Sequence, residues 1–340
     1  MGKFLIQSKA SSILKTNAKP PIVEIEFLGT GGAFDKKEKN SSVLIKTSQG
    51  TILIDSGFTV YPELESRGII KDINYIFITH THEDHIGSLS TLVYHKSYVT
   101  QQDAKIECSK QVAEVVDTYL RKVCGHPDET IHINENEGDV YNDINMRIWK
   151  VDTTGLHYKD LPSSGFVFSF RKNGENVYIV YSGDINVPIT DVIAEQFPSL
   201  YENMLAKPGN VFILHEATAQ DYPPYYPHCE FQKLLETSET FPNIFTYHHS
   251  ADETKIISGE YQTQKRKLKV ALNKIDAELK TKLSFFEDGE DKQKEDLIKQ
   301  SENIKQMFHD EFYLVEGEGN IFDVNQVGNI LVIQEELGIK

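Results

Sequence analysis

Three histidines and an aspartate are concentrated within six residues of this 340-residue chain, directly after the apolar run 76–78. They are His80, His82, Asp84 and His85, in the sequence His-Thr-His-Glu-Asp-His. A single histidine is usually a hydrogen-bonded or solvated side chain, but four coordinating side chains at fixed offsets have little structural purpose. The segment is therefore predicted to bind metal.

The spacing of these residues divides them between two ions. Because His80 and His82 are two apart, they point the same way from an extended segment and can hold one ion. Asp84 and His85 follow after the chain turns and can reach a second ion. Imidazole and carboxylate are the ligands expected for zinc, manganese or iron. Two such ions about 3.5–4 Å apart can deprotonate a shared water and clamp both oxygens of a displacement.

Short apolar strands alternate with turns and must position this loop. Runs rich in Ile, Val and Leu are bounded by Gly, Asn or Ser, a pattern typical of strands. Strands are predicted at 22–28, 42–46, 51–55, 75–79, 146–151, 165–170, 177–182, 211–214 and 244–247. The clearest helix is predicted at 109–124, where Val112, Val115, Val116 and Tyr119 recur at spacings of three and four. The pattern indicates an α/β fold.

The His-x-His-x-Asp-His pattern at a strand end resembles the signature of the metallo-β-lactamase superfamily. The resemblance covers about residues 22 to 250 and includes 27–32, Phe-Leu-Gly-Thr-Gly-Gly, which is similar to the superfamily's first strand and glycine-rich turn. It implies an αββα sandwich, in which two mixed β-sheets are flanked by helices. A C-terminal helical extension would lie outside the shared part.

The resemblance also implies the remaining metal ligands. Asp55 matches a buried carboxylate that supports the metal loop from behind the ligands. His157 matches a further ligand of the first metal, and Asp184 the carboxylate that bridges both metals. For the last ligand, His248 is preferred over His249 because the ribonuclease Z branch has His-x-Ser here. The implied ligands are His80, His82, Asp84, His85, His157, Asp184 and His248.

Two further segments resemble ribonuclease Z and its relatives, which cleave phosphodiesters. Residues 215–218 are similar to a His-Glu-Ala-Thr element, and 225–228 to a segment that supplies a histidine near the leaving oxygen. By this resemblance His228 is the general acid, and Glu216 holds its imidazole in the right tautomer and protonated. With Asp84, they form the expected catalytic set. The alternative for Glu216 and His228 is a structural hydrogen-bond pair.

The distance between two ligands argues against a tRNA-processing enzyme. Such enzymes carry a Gly-Pro-rich arm between the third and fourth ligand motifs, but here 184 − 157 = 27 residues separate His157 from Asp184. A net charge of −16, from 35 Lys and Arg against 51 Asp and Glu, is also unfavourable for holding a large structured RNA. We therefore expect a small phosphodiester such as a cyclic nucleotide, attacked by a metal-bridging hydroxide with His228 as proton donor.

Other functions stay open from the sequence. They are ribonuclease Z-like RNA processing, hydrolysis of a lactone, thioester or β-lactam carbonyl, and a non-hydrolytic role as a di-iron redox enzyme or metal-binding interaction protein. Two divalent ions are expected, with zinc preferred over manganese or iron. A homodimer is implied by the resemblance only.

Composition and segment lengths indicate the setting of the molecule. Hydrophobic residues make up 39% and charged residues 25%, as in a folded protein. Three widely spaced cysteines give no disulfide framework, and neither a signal-peptide core nor an apolar stretch of about 20 residues is found. A cytoplasmic protein that does not enter a membrane is expected.

Four segments are predicted along the chain. They are an N-terminal extension at 1–21, the catalytic domain at 22–250, a helical hairpin at 251–311, and at 312–340 a closing β-hairpin with the C-terminus, packed on the catalytic domain. The helical hairpin carries an apolar stripe at helical spacing and a basic cluster at 265–269, expected to be a solvated helix face. It would cap the active site or form a dimer interface.

Overall fold

Two mixed β-sheets pack face to face and helices cover the outer face of each, so the predicted αββα sandwich is confirmed. This computed structural model describes residues 4–7, 23–35, 38–47, 50–135, 140–141, 146–172, 175–218, 227–248, 320–323 and 330–333. Within the described part of the chain, no helix has the length and apolar composition needed to cross a bilayer.

The first sheet contains the strand that leads into the metal loop. Its strands are β1 (Phe4–Gln7), β2 (Val23–Gly29), β3 (Ser42–Thr47), β4 (Thr51–Ile54), β5 (Ile73–Phe77), β6 (Ala104–Glu107), β7 (Ile131–Asn134) and β15 (Ile330–Ile333). They lie in the order β1-β15-β2-β3-β4-β5-β6-β7. From β4 to β7 neighbouring strands are parallel, so their carboxyl ends meet at one edge.

The second sheet repeats this arrangement on the other side of the core. Its strands are β8 (Val140–Tyr141), β9 (Met146–Asp152), β10 (Ser164–Lys172), β11 (Glu175–Tyr181), β12 (Val211–Glu216), β13 (Asn243–Tyr247) and β14 (Asn320–Asp323). They lie in the order β14-β13-β12-β11-β10-β9-β8. Strands β11 to β14 are parallel, and β8 to β11 form antiparallel pairs.

Helices connect the parallel strands. Four of them pack on the first sheet: α1 (Val60–Ser66), α2 (Glu83–Ile86), α3 (Leu89–Tyr94) and α4 (Lys110–Asp117). Three pack on the second: α5 (Ile189–Gln196), α6 (Pro198–Ala206) and α7 (Phe231–Ser238). Short 3-10 helices lie at Ile70–Asp72, Asp128–Thr130 and Pro208–Asn210, and π-helical turns extend α3 and α4 over His95–Val99 and Thr118–Val123.

Side-chain alternation along the strands builds the core in layers. On β10, Phe166 and Phe168 point between the sheets, while Val167 faces the helices on the outer side. Both phenylalanines meet Phe77 of β5 edge to face, with ring centroids 5.2 Å apart in each pair. The two sheets are therefore joined by a continuous apolar layer beneath the edge where the metal loop lies.

Local sequence patterns predicted the positions of the strands but not which strands pair with each other. Each of the nine predicted strands is present within two residues of its expected ends, and the helix at 109–124 appears as α4 with its π-helical turn. Strand β14 joins the second sheet beside β13, and β15 joins the first between β1 and β2. Of the predicted closing segment 312–340 only 320–323 and 330–333 are described, and the helical hairpin 251–311 lies outside the described residues.

Candidate metal centre

Five strands end at the same edge of the sandwich, and each leads to one predicted site residue. Asp55 follows β4 and His80 lies three residues beyond β5, both in the first sheet. In the second sheet Asp184 lies three residues beyond β11, Glu216 ends β12, and His248 follows β13. The carboxyl ends of parallel strands are where α/β folds form ligand sites.

A first group of donors surrounds one point. His82 Nδ1 lies 3.0 Å from His80 Nε2 and 3.1 Å from His157 Nε2, and an Asp184 oxygen lies within 4.8 Å of the group's donor atoms. Nitrogens bound to one tetrahedral zinc about 2.0–2.1 Å away lie about 3.3 Å apart. The three imidazoles thus have nearly the separations that a shared ion requires.

A second group lies on the other side of Asp184. Asp84 Oδ2 is 3.2 Å from His248 Nε2 and 3.4 Å from His85 Nε2. Asp184 Oδ2 is 3.4 Å from both of these imidazole nitrogens. It also lies 3.7 Å from His157 Nε2 in the first group. Asp184 therefore sits between the groups, at the position from which one carboxylate can bridge two ions.

Buried polar atoms left without hydrogen bonds indicate what the centre is built to hold. Within the described residues, His85 Nε2, Asp184 Oδ1 and His248 Nδ1 are buried and have no hydrogen-bond partner. Leaving such groups unpaired is costly, and bound cations would satisfy His85 Nε2 and Asp184 Oδ1, whereas His248 faces the second group through its other nitrogen, Nε2. The donor set and these unpaired atoms fit divalent metal ions.

Hydrogen bonds behind the ligands fix their tautomers. The Asp55 carboxylate accepts from the Thr79 N–H and O–H, each at 2.9 Å, and from His85 Nδ1 at 2.8 Å. Because the Thr79 hydroxyl donates to Asp55, it can accept from His80 Nδ1, which lies 3.0 Å away. Both histidines thus direct Nε2 at the centre. Burial raises the pKa of Asp55, while these donors favour its ionised form.

His157 is oriented in the same way by a different partner. Its Nδ1 lies 3.0 Å from the Pro227 carbonyl oxygen, which can only accept a hydrogen bond. The proton therefore lies on Nδ1, and Nε2 is left to bind an ion.

Close backbone packing holds the metal loop against the Asp55 turn. Asp55 and His248 have φ angles of 59° and 64°, a conformation that non-glycine residues rarely adopt. A Cβ on Gly57 would lie 1.9 Å from the Asp84 carbonyl oxygen, so only glycine fits there. The Asp-Ser-Gly sequence thus serves close packing as well as hydrogen bonding.

Electrostatics in the centre favour the neutral, ligand-ready form of His80 and the ionised form of Asp84, but the protonated form of His85. Burial lowers the pKa of His80, and the neighbouring His85 lowers it further. Burial would raise the pKa of Asp84, but His85 and His248 bring it below its usual range. For His85 burial acts downward, yet Asp184, Asp55 and Asp84 hold its pKa well above 6.5. The carboxylates therefore draw positive charge into the centre.

Glu216 and His228 form a hydrogen-bonded pair at the rim of the centre. His228 Nδ1 lies 2.5 Å from Glu216 Oε2, and Glu216 also accepts from the Ile185 N–H. The His228 ring centroid is 5.2 Å from that of His157 and 5.3 Å from that of His248. Burial, with the nearby Asp184, raises the pKa of Glu216. His228 thus lies beside ligands of both groups.

The structure brings together every predicted site residue, while His249 lies outside the described residues. Sequence reasoning missed Thr79 and His215. Thr79 directly precedes His80, and its hydroxyl is the signal that could have found it. His215 is buried, and its Nε2 accepts from the Ile189 N–H at 3.0 Å. The neighbouring Glu216 was predicted to be catalytic, whereas His215 accepts a hydrogen bond from the backbone of α5 and serves the fold.

Comparison with known proteins identifies the family. The family model described as Anti-Pycsar protein Apyc1 matches residues 23–270, which are 248 of the 340 residues. The chain belongs to the Anti-Pycsar Apyc1 family. Anti-Pycsar protein Apyc1 from Paenibacillus sp. (strain J14) is 38% identical over 77 residues, 22% of this chain and 31% of that protein. The chain spans about three tenths of the length of the first curated relatives it matches.

Two further similarities agree with the superfamily predicted from the sequence. Ribonuclease Z from Thermococcus sibiricus (strain DSM 12597 / MM 739) is 30% identical over 152 residues, 43% of this chain and 48% of that protein. The crystal structure of the metallo-beta-lactamase fold protein YhfI from Bacillus subtilis matches with a TM-score of 0.52. The matched region is 68% of this chain and 87% of the YhfI chain, at 14% identity. This similarity confirms the fold of this Apyc1 family member.

Proposed function

We propose that this Apyc1 family member is a dinuclear metal-dependent phosphodiesterase that acts on a small phosphodiester, a cyclic nucleotide being the best single substrate. The observation that carries the proposal is the position of Asp184 between two groups of donors. The first ion would be held by His80, His82 and His157. The second would be held by Asp84, His85 and His248, with Asp184 shared. When bound, such a pair supplies positive charge beside phosphate oxygens and a water of lowered pKa.

The Glu216–His228 pair is proposed to deliver the proton that the leaving oxygen needs. An alkoxide leaves poorly unless it is protonated, so a general acid beside the centre is required. Because His228 Nδ1 is hydrogen-bonded to Glu216, Nε2 is the atom proposed to donate the proton to the leaving oxygen. Because Glu216 is fully buried, it also orients the ring from a fixed position.

The hairpin between two ligands supports a small substrate. Strands β10 and β11 occupy most of the chain between His157 and Asp184, and their register pairs Lys172 with Glu175. Only two residues connect the paired positions, which leaves no room in this hairpin for a protruding arm. Membership in the Anti-Pycsar Apyc1 family also favours a cyclic nucleotide over a large RNA. RNA processing is the second candidate, because ribonuclease Z is among the relatives.

Several finer features are proposals from the sequence and the resemblance. Zinc is the proposed metal, and two ions are the proposed number. A cytoplasmic homodimer is the proposed form, and the division of the chain into segments 1–21, 22–250, 251–311 and 312–340 stays a prediction.

A substrate panel with defined metals tests the activity. Purified protein, stripped with a chelator and reloaded with Zn²⁺ or Mn²⁺, would be assayed on cyclic nucleotides, dinucleotides, a tRNA precursor and lactones. We expect metal-dependent hydrolysis of cyclic nucleotides, and metal analysis giving about two ions per chain. The Asp184→Asn variant is the control and should lose both activity and one or more ions.

Two outcomes would contradict the proposal. Preference for the tRNA precursor would mean that the protein processes RNA. Preference for a lactone would mean that its substrate is not a phosphodiester. His132→Ala is the matched control, because His132 is an exposed histidine paired with Asp103 outside the centre. It should keep full metal content and activity.

A further inference from the structure

Three exposed aromatic side chains lie on loops that either carry a site residue or pack beside one. Phe34, Phe58 and Tyr158, which we call the aromatic rim, are 96%, 55% and 65% exposed. Among the residues that the structure describes, only one other Phe or Tyr, Tyr98, is comparably exposed. Scattered exposed apolar residues are ordinary, but a group of them around one site indicates a binding surface.

The loops that carry two of these side chains lie beside the second donor group. Phe34 comes two residues after Gly32, where an added Cβ would lie 3.7 Å from His248 Cε1. The Phe58 ring lies against Gly87, since a Cβ on that glycine would approach Phe58 Cδ1 to 2.6 Å. Gly87 lies two residues after His85, the last predicted ligand of the metal loop. Both loops thus lie close to the centre, with the Phe34 side chain in solvent and the Phe58 ring partly covered by Gly87.

The third side chain approaches from the other sheet. Tyr158 directly follows His157, whose imidazole belongs to the first donor group, and its own side chain points into solvent. The three aromatic residues therefore come from three separate loops: after β2, after β4 and after β9. A ligand held at the centre would meet the rim with the part that extends outward.

The side chains that the structure describes at the centre suit a phosphate group rather than a nucleobase. The donors of the centre are buried imidazoles and carboxylates, which suit metal ions and phosphate oxygens but not a flat, weakly polar ring. We infer that the aromatic rim stacks on the base of the nucleotide whose phosphodiester lies at the metal centre. The inference rests on the proposed phosphodiesterase function, which it extends by assigning the residues that bind the rest of the substrate.

Stacking on a base has a measurable signature. Removal of one stacked aromatic side chain costs about 5- to 150-fold in binding. Because the base is distant from the reacting phosphorus, this contact is made equally in the ground state and the transition state. Its loss should raise KM and leave kcat nearly unchanged.

The experiment compares Phe34→Ala, Phe58→Ala and Tyr158→Ala with the unaltered metal-loaded protein. The substrates are a cyclic nucleotide and the ribose cyclic phosphate that lacks a base. We expect at least one variant to raise KM for the cyclic nucleotide about 5-fold or more, with kcat within about twofold. For the base-free substrate KM should not change. Phe34→Ala is the cleanest variant, because a side chain 96% exposed contributes little to folding.

Matched controls separate stacking from other causes. Tyr98→Ala removes an aromatic side chain 66% exposed that lies about 14 Å along the helix from the start of α3, and it should change nothing. Tyr158→Phe keeps the ring and should restore the KM that Tyr158→Ala loses, because stacking needs the ring and not the hydroxyl. Unchanged KM in all three alanine variants, or equal loss on the base-free substrate, would overturn the inference. If the unaltered protein cleaves no cyclic nucleotide, it is the proposed function that fails.

Discussion

The Thr79 hydroxyl links a candidate metal ligand to the carboxylate behind the metal loop. It accepts from His80 and donates to Asp55, so one atom fixes the tautomer of a ligand. In Thr79→Val the shape is kept, but the His80 ring loses its partner. We expect metal affinity to fall about 10- to 100-fold, as is usual when a hydrogen bond behind a ligand is removed. Competition with a chromogenic chelator would measure it.

The matched variant for this experiment is Thr79→Ser. It keeps the hydroxyl and both hydrogen bonds, and should retain metal affinity within a few fold. Equal affinity in the valine and serine variants would show that the hydroxyl has no part in metal binding.

The leaving group gives a sharp test of His228. In His228→Ala the proton donor is absent, so hydrolysis of a cyclic nucleotide, with its poor alkoxide leaving group, should slow about 100-fold or more. An ester of p-nitrophenol leaves without protonation and should be cleaved almost as fast as before. Steady-state rates on both substrates, with metal content measured in parallel, make the comparison. A similar loss on both would assign the Glu216–His228 pair to the structure of the site instead.

The role of a single residue could be predicted where neighbouring residues in the sequence indicate it. His80 to His85 form a dense local pattern, and Asp184 and His248 followed from matching motifs. Thr79 could not be assigned in the same way, because its role depends on Asp55, which is 24 residues away and directly follows a neighbouring strand. A hydroxyl before a histidine is ordinary until the fold brings that carboxylate beside it.

At the scale of elements, His215 joins a strand to a helix. It lies on β12, and its Nε2 accepts the N–H of Ile189, the first residue of α5. Pro188, which precedes that helix, has no side-chain acceptor to cap it. A buried imidazole on the sheet thus accepts a hydrogen bond from the backbone at the start of a helix. It can accept only while Nε2 carries no proton.

This hydrogen bond makes the free energy of unfolding depend on pH, because it requires a neutral His215. Burial lowers the pKa of His215 to about 4, below the ordinary value of 6.5. Between these values the unfolded chain binds a proton that the folded chain does not, so stability falls as pH drops from 6.5 to 4. The share from this residue is about 3 kcal/mol. Urea unfolding of chelator-treated protein at pH 7 and pH 4.5 would measure it.

His215→Gln isolates that share. Glutamine can accept the Ile189 N–H but does not titrate in this range, so the variant should lose clearly less stability on acidification than the unaltered chain. Parallel pH dependences for the two proteins would contradict the assigned protonation state of His215.

Whole-sheet order was the part of the fold that local patterns could not supply. Apolar alternation located β2 and β13 because it is a property of a few adjacent residues. The insertion of β15 between β1 and β2 joins residues more than 300 positions apart, which no local periodicity encodes. The resemblance to a known superfamily, rather than periodicity, therefore predicted the sandwich.

The net charge of −16 has a different meaning once the centre is considered. Asp84, Asp184 and Glu216 are buried at the metal site, where bound cations would offset them. A small anion that reaches only the centre can therefore be bound by a molecule whose surface repels polyanions. This separation of local from global charge agrees with a small substrate rather than a large RNA.

The metal centre also spans the two halves of the molecule. His80, His82, Asp84 and His85 follow a strand of the first sheet, whereas His157, Asp184 and His248 follow strands of the second. Bound ions would link the sheets at their open edge and would be lost on unfolding. At free metal 100 times Kd, binding at a single site adds about 2.7 kcal/mol to the free energy of unfolding. Chelation should therefore lower the unfolding midpoint, and His157→Ala should reduce the metal-dependent gain, whereas His132→Ala should not. Thermal unfolding at stepped Zn²⁺ concentrations would measure both effects, and midpoints independent of metal would mean that the ions do not join the sheets.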